Sequence, residues 1–146
     1  MSLGMKFSFF MVGFLLLVCN GWAENIAVIV HKKCPLDTID QSDVRSLFLG
    51  KLHTFPGTDL SAVPLDQAKS SRTRRNFYIS VANKTPSKMT TFWARNLFTG
   101  KGKTPSVIGD GTAVKKKVQE SIHHIGYIDK GLVDGSVKVL LYVDTN

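Results

Sequence analysis

One apolar run constrains the fold of this chain more than any other feature. Residues 25–31 read Asn-Ile-Ala-Val-Ile-Val-His, an almost uninterrupted β-branched stretch. Such a run is typical of a strand that is buried on both faces of a sheet. Strand-like and helix-like segments then alternate along the rest of the chain. The pattern predicts an α/β fold in which a mostly parallel central sheet is flanked by helices.

Turn residues and helix caps place the other elements. Further strands are predicted over residues 61–65, 125–128 and 137–142. Helices are predicted to begin near residues 40–43, 71, 85–86 and 110–112, where capping residues stand, and to end near residues 50, 82, 100 and 121. Residues 101–109 are predicted to form a basic loop. The third helix is predicted to bury Met89, Phe92, Trp93, Leu97 and Phe98.

The first 23 residues have the pattern of an export signal. Lys6 precedes an apolar stretch over residues 7–18, and Gly21-Trp22-Ala23 offers small residues where a signal peptidase cuts. Cleavage after Ala23 leaves residues 24–146 as one domain, which we expect in the periplasm. Two alternatives stay open, namely lipidation of Cys19 and retention of the segment as an uncleaved anchor.

The exported chain would be basic. The sequence has 19 basic and 11 acidic residues, so removal of Lys6 leaves a net charge of +7. An exported protein seldom meets nucleic acid, so the expected partners are small anions, anionic lipid head groups or an acidic protein surface. Cys34 would be its one cysteine, which excludes an internal disulfide.

The strongest functional signal is a group of arginines at a predicted helix start. Residues 66–75, Asp-Gln-Ala-Lys-Ser-Ser-Arg-Thr-Arg-Arg, follow the second predicted strand. The first turn of a helix already has about half a positive charge and four unpaired N–H donors, so arginine is unfavourable there without an anion. We therefore predict an oxyanion site capped by Ser71. Arg72 and Arg75, three positions apart, are the pair expected to face one ligand. The alternative is a capped helix whose arginines are solvated.

Together these segments resemble the periplasmic phosphate-binding proteins of ABC importers, in particular their short, single-lobe members. The similar stretches are residues 26–30, 44–51, 63–67, 75–78, 92–102 and 124–128, including Phe-Leu-Gly-Lys at 48–51 and Ile-Gly-Tyr at 125–127. The resemblance implies one lobe of the periplasmic-binding-protein fold, reversible binding of inorganic phosphate or a related oxyanion, no cofactor, and an ABC permease as a partner. The implied ligand-binding residues are Asp66, Gln67, Ser70, Ser71, Arg72, Thr73 and Arg75.

The chain departs from that family in two respects. Residues 66–73 contain neither glycine of the family's Asp-Gly-Ser-Gly-Thr-like loop, and glycine lets a backbone close tightly on an oxyanion. The chain also corresponds to one lobe of a two-lobe clamp. A second function therefore stays open: an envelope interaction or sensor-accessory module that docks a protein such as a sensor-kinase ectodomain. Two copies could also rebuild a two-sided cleft as a homodimer.

The remaining polar clusters favour simpler interpretations. The three lysines at 115–117 are predicted to form a solvated helix face, with docking on an acidic partner as the alternative. Asp110 is expected to cap a helix. His123 and His124 have no carboxylate or cysteine at ligand spacing, so no metal is expected. No nucleophile–base pair is visible, and an enzyme is not expected.

Overall fold

The β-branched run near the start of the chain lies inside a sheet. In the computed structural model, which describes residues 25–145, all residues of β1 (Ile26–Val30) are buried. β4 (His124–Asp129) and β5 (Lys138–Val143) flank it, and both are antiparallel to it. Val28 and Val30 face one core of the protein, whereas Ala27 and Ile29 face another, as the two-residue period of a strand requires. The predicted burial on both faces is confirmed.

The sheet is mixed, with one direction dominant. Its strand order is β3-β2-β4-β1-β5, where β2 is Val63–Gln67 and β3 is Ser106–Gly109. β2 is parallel to both β3 and β4. Because β1 is antiparallel to both of its neighbours, the other four strands all run in one direction. The predicted mostly parallel sheet flanked by helices is confirmed, with β1 as the one reversed strand.

Helices cover both faces of the sheet. They are α1 (Gln41–Phe48), α2 (Arg72–Ala82), α3 (Pro86–Phe98) and α4 (Gly111–Val118). The first three pack on one core and α4 packs on the other through Val114 and Val118. In the part of the chain that the structure describes, no helix is both long and apolar enough to span a bilayer. The predicted export signal lies outside the described residues.

Three of the four helix starts have the predicted side-chain caps. The hydroxyl of Ser71 accepts a hydrogen bond from Arg74 N, and that of Thr85 accepts one from Lys88 N. The Asp110 carboxylate accepts one from Ala113 N. These caps satisfy N–H groups that have no partner within the helix.

Two local predictions were wrong. Residues 101–109 were predicted as a loop but contain β3. This strand lies at the edge of the sheet with its first two residues exposed, so its sequence does not need the apolar run of a buried strand. Leu97 and Phe98, predicted to be buried, are 60% and 93% exposed. Phe98 follows the buried Met89 by nine positions, which is two and a half helical turns, so it lies on the opposite side of α3.

Candidate functional site

The carboxyl ends of three parallel strands define one edge of the sheet. Four residues separate β2 from α2, α4 begins directly after Asp110, and a short 3-10 helix (Lys130–Leu132) follows β4. Ala68 N donates to the carbonyl of Gly109 across 2.8 Å, which ties two of these connections together. Ligands of α/β sheets collect at such edges because loops and helix N-termini converge there.

Asp66, the penultimate residue of β2, is the centre of a buried polar network. It is only 2% exposed. Its Oδ1 accepts hydrogen bonds from Gln67 N at 2.9 Å and from the Tyr127 hydroxyl. Its Oδ2 accepts from Arg74 Nε at 3.2 Å and from the Tyr78 hydroxyl at 3.0 Å. The carboxylate is thus held by four donors and one positive charge inside the protein.

The two phenols of this network remain protonated over the ordinary pH range. Burial, followed by the negative charge of Asp66, raises the pKa of Tyr78 well above its usual value of 10.0. The same two causes, in the same order, raise the pKa of Tyr127. Both hydroxyls can therefore donate to Asp66. Tyr127 also stacks on Phe77, with ring centroids 3.8 Å apart, so α2 and β4 are joined by apolar as well as polar contacts.

Gln67 and Ser71 connect the strand end to the helix start. The Gln67 amide donates from Nε2 to the carbonyl of Tyr127 at 2.9 Å. Ser71 Oγ donates to Gln67 Oε1 at 2.7 Å while accepting from Arg74 N at 3.1 Å. These bonds fix the position of the first turn of α2 relative to the sheet. Gln67 and Ser71 therefore belong to the same hydrogen-bond network as Asp66.

The three arginines of α2 do not share one environment. Arg74 is 9% exposed, bonds to Asp66, and has its guanidinium carbon 5.1 Å from the centre of the Tyr78 ring. Arg72 and Arg75 are exposed, as is Ser70, whereas Thr73 is half-buried. The structure thus leaves Arg72 and Arg75, the pair that the sequence favours, on the outer side of the helix start. Arg74 was not among the ligand-binding residues predicted from the sequence.

A second helix start at the same edge carries glycines. Gly109 has a φ of +131°, a conformation that favours glycine. Gly111 is buried, and a Cβ added there would lie 2.9 Å from Leu132 Cδ1 and 3.6 Å from Gln67 Nε2. The glycines missing from residues 66–73 thus have counterparts in the neighbouring connection. There Gly111 allows close packing against Gln67, and both glycines flank Asp110, which caps the start of α4. The charge of Asp110 would repel an anion.

The other clusters noted in the sequence have local partners. Lys115 Nζ lies 2.8 Å from Asp134 Oδ2, and Lys117 pairs with Glu120, also at 2.8 Å. Within residues 25–145, no group of three or more histidine, cysteine, aspartate or glutamate side chains is arranged to hold a metal ion.

The structure brings together one hydroxyl and imidazole that the sequence did not connect. His123 Nδ1 lies 2.9 Å from Ser61 Oγ and also 2.9 Å from the Ser61 carbonyl oxygen. Nδ1 donates to these oxygens when it carries the ring proton, and it accepts from the Ser61 hydroxyl when Nε2 carries that proton.

Solved structures with a similar fold include proteins named for phosphate transport. One, from Clostridium perfringens, is assigned as a phosphate ABC transporter substrate-binding protein and contains bound phosphate. Its TM-score is 0.65, and it is 23% identical over 80% of this chain and 44% of its own chain. An ABC-type phosphate transport receptor from Vibrio cholerae has a TM-score of 0.65 and 18% identity over 80% of this chain and 45% of its own. PstS from Borrelia burgdorferi has a TM-score of 0.61 and 17% identity over 81% of this chain and 47% of its own.

These likenesses establish the fold. The resemblance predicted from the sequence is confirmed at that level, and the neighbours are binding proteins rather than enzymes. This chain spans less than half the length of each of these proteins. No protein-family model and no curated protein matches the sequence.

Proposed function

We propose that this protein is an exported solute-binding protein of the phosphate ABC transporter type, which reversibly binds phosphate or a related oxyanion at the start of α2. The observation that carries the proposal is the exposed pair Arg72 and Arg75 at a helix N-terminus that follows the carboxyl end of β2. The fold shared with phosphate transport proteins over 80% of the chain supports it. Export by residues 1–23 to the periplasm and delivery to an ABC permease belong to the same proposal.

The residues of the site divide into two roles. Ser70, Thr73, Arg72 and Arg75 would contact the anion, together with N–H groups of the first turn of α2. These groups offer charge-assisted hydrogen bonds, which are shorter and stronger than neutral ones. Asp66, Gln67 and Ser71 would hold the helix start in place through their bonds to Arg74 and Tyr127. Because Arg74 neutralises Asp66, the buried carboxylate does not oppose an anion bound outside it.

Ser70, Arg72 and Arg75 are exposed to water in the structure of residues 25–145. Contacts between exposed charges are weakened by salt. We therefore expect modest affinity that falls as ionic strength rises. A second copy of the chain, or the permease itself, would supply the opposite wall.

Titration calorimetry with inorganic phosphate tests this proposal. Arg72→Gln/Arg75→Gln should weaken binding by at least about 10-fold, because each substitution removes a charged hydrogen-bond donor. The matched control is Lys32→Gln/Lys33→Gln, which removes two exposed charges from the connection between β1 and α1 and should leave phosphate binding unchanged. Equal losses in the two variants, or no saturable heat from the unmodified protein at low salt, would overturn the proposal.

A further inference from the structure

Charge is distributed very unevenly along this chain. Between Gln67 and Gly109 it has nine basic residues and no acidic residue. Four of the nine belong to the loop and helix start considered above. The others belong to α3 and its flanking connections, and are Lys84, Lys88, Arg95, Lys101 and Lys103. α3 therefore carries a second cationic surface that the proposed phosphate site does not use.

The exposed side of α3 forms one continuous ridge. Lys88, Thr91, Arg95 and Phe98 follow one another at intervals of three, four and three residues, which places them along a single helix face. All four are exposed, whereas Met89 and Trp93 on the other side are buried. We call these four residues the α3 ridge.

A shallow depression of about 250 Å³ lies beside the ridge. Its lining consists of Lys84, Ser87, Lys88, Thr91, Phe92 and Arg95. Lys84 Nζ is 5.1 Å from the centre of the Phe92 ring, a cation–π contact at the edge of the depression. Three cations and the Ser87 hydroxyl around one depression match the chemistry of a phosphate ester, whereas the Thr91 hydroxyl donates to the Ser87 carbonyl.

The helix itself does not favour cations at this end. Lys84 and Lys88 lie at the N-terminus of α3, where the helix dipole disfavours positive charge, and the first turn contains no acidic residue. An external anion would remove this repulsion.

Phe98 adds an apolar element at the end of the ridge. Its side chain is 93% exposed, and the neighbouring Leu97 is 60% exposed. Arg95 precedes Phe98 by three residues and Lys101 follows it by three, so the ring lies within the basic stretch. Cations beside a protruding aromatic ring are typical of helices that lie in the interface of an anionic bilayer, with the ring at the boundary of the acyl chains.

We propose that the α3 ridge is a peripheral docking surface for an anionic phospholipid bilayer. Lys84, Lys88 and Arg95 contact head-group phosphates, and Phe98 inserts below them. A lipid surface fits better than an acidic protein for two reasons. The basic stretch has one sign of charge throughout, and Phe98 protrudes from a helix end instead of lining a groove.

Vesicle sedimentation tests the proposal. The protein is expressed from the full sequence, and mass spectrometry confirms that all variants share one amino terminus. The unmodified protein should bind vesicles of phosphatidylglycerol and phosphatidylcholine, and should bind phosphatidylcholine alone far more weakly. Lys84→Gln/Lys88→Gln/Arg95→Gln should weaken binding by about 100-fold, as expected for three basic residues at an anionic surface. The control Lys32→Gln/Lys33→Gln/Lys116→Gln removes the same charge from other elements and should weaken binding far less.

Phe98 provides a readout independent of total charge. In Phe98→Trp, brominated lipids should quench more fluorescence than in the unmodified protein, and Phe98→Ala should bind less tightly. Circular dichroism checks that each variant is folded. Equal losses in the two triple variants would overturn the proposal. A second outcome would also overturn it: the indole of the Phe98→Trp variant is not quenched by brominated lipid, and the α3 ridge is needed to bind a soluble polyanion such as heparin. That result would identify an acidic macromolecule as the partner.

The proposal stands or fails separately from phosphate binding at α2. Lys84→Gln/Lys88→Gln/Arg95→Gln should still give the phosphate titration of the unmodified protein. Arg72→Gln/Arg75→Gln should still be quenched by brominated lipid when combined with Phe98→Trp.

Discussion

At the scale of single residues, Asp66 joins the parts of the molecule that the proposed function needs. It lies near the end of β2, bonds to Arg74 and Tyr78 on α2, and bonds to Tyr127 on β4. Removing one member of a buried ion pair leaves the other charge without compensation, which is more costly than removing both. The network should therefore behave as one unit when it is mutated.

A double-mutant cycle tests that unit. Asp66→Asn and Arg74→Met should each lower the free energy of unfolding by about 3 kcal/mol, whereas the double variant should lose clearly less than the sum. Urea denaturation measures each value. Asp37→Asn is the control, because Asp37 pairs with Lys138 through a carboxylate that is 91% exposed, and it should cost less than about 1 kcal/mol. Additive losses at Asp66 and Arg74 would contradict the network.

The tyrosines predict how stability depends on pH. Because folding raises the pKa of Tyr78 and Tyr127 above 10.0, the folded state holds protons that the unfolded state releases. Their contribution is complete below that pH and is lost as the pH rises through and beyond it. Urea unfolding from about pH 8 to about pH 11 should show this loss. The decline of the free energy of unfolding should be shallower in Tyr78→Phe/Tyr127→Phe than in the unmodified protein. Tyr142→Phe changes an exposed tyrosine and should show the same decline as the unmodified protein. An identical decline in all three proteins would contradict the assignment.

The residue pattern predicted Asp66, Gln67 and Ser71 as part of this site, but not the buried Arg74 that bonds to Asp66. Ser71 was found because a helix cap is a local signal, readable from adjacent residues. Arg74 was not singled out as the buried arginine, because its contacts with Asp66 and Tyr78 form only in the folded site. Its spacing of three and four residues from Phe77 and Tyr78 does place it on the buried side of α2.

At the scale of elements, β4 and α4 pack unusually closely. Gly126 of β4 pairs with Ile29 of β1, and a Cβ added to it would lie 2.5 Å from Val114 Cγ1 and 3.4 Å from Val118 Cγ2. α4 can approach the sheet only because this residue has no side chain. The Ile-Gly-Tyr stretch that contributed to the sequence resemblance thus has a packing reason for its glycine.

Gly126→Ala should lower the free energy of unfolding by about 1–3 kcal/mol, as expected for overpacking of a filled core. Thermal or urea denaturation measures the change. Gly135→Ala is the matched control, since no atom lies within 4 Å of a Cβ added there, and it should change stability little. A neutral Gly126→Ala would mean that α4 can move away from the sheet without cost.

The elements differ in how far the sequence predicted them. β1, the capped helices and the strand–helix alternation were all found, because their signals are local and repeat over several residues. β3 was missed because an edge strand of four residues in a basic, glycine-containing stretch has too little apolar pattern. The reversal of β1 relative to the other strands depends on pairing between distant segments, which periodicity does not report.

At the scale of the whole molecule, the two proposed surfaces use charge in different ways. The start of α2 presents cations next to a rigid, buried network, which suits a small anion at a fixed position. The α3 ridge presents cations around an exposed aromatic ring, which suits an extended anionic surface. The matched part of the chain spans less than half of the phosphate transport proteins whose fold it shares, and both surfaces are exposed within residues 25–145.

A phosphate titration of ¹⁵N-labelled protein, followed by amide chemical shifts, tests anion binding at the start of α2 residue by residue. We expect saturable shifts that are largest at Ser70, Ser71, Arg72 and Thr73, and smaller or absent along α3. Shifts that are largest around Lys84, Lys88 and Arg95, or a titration without saturable shifts at the start of α2, would contradict it.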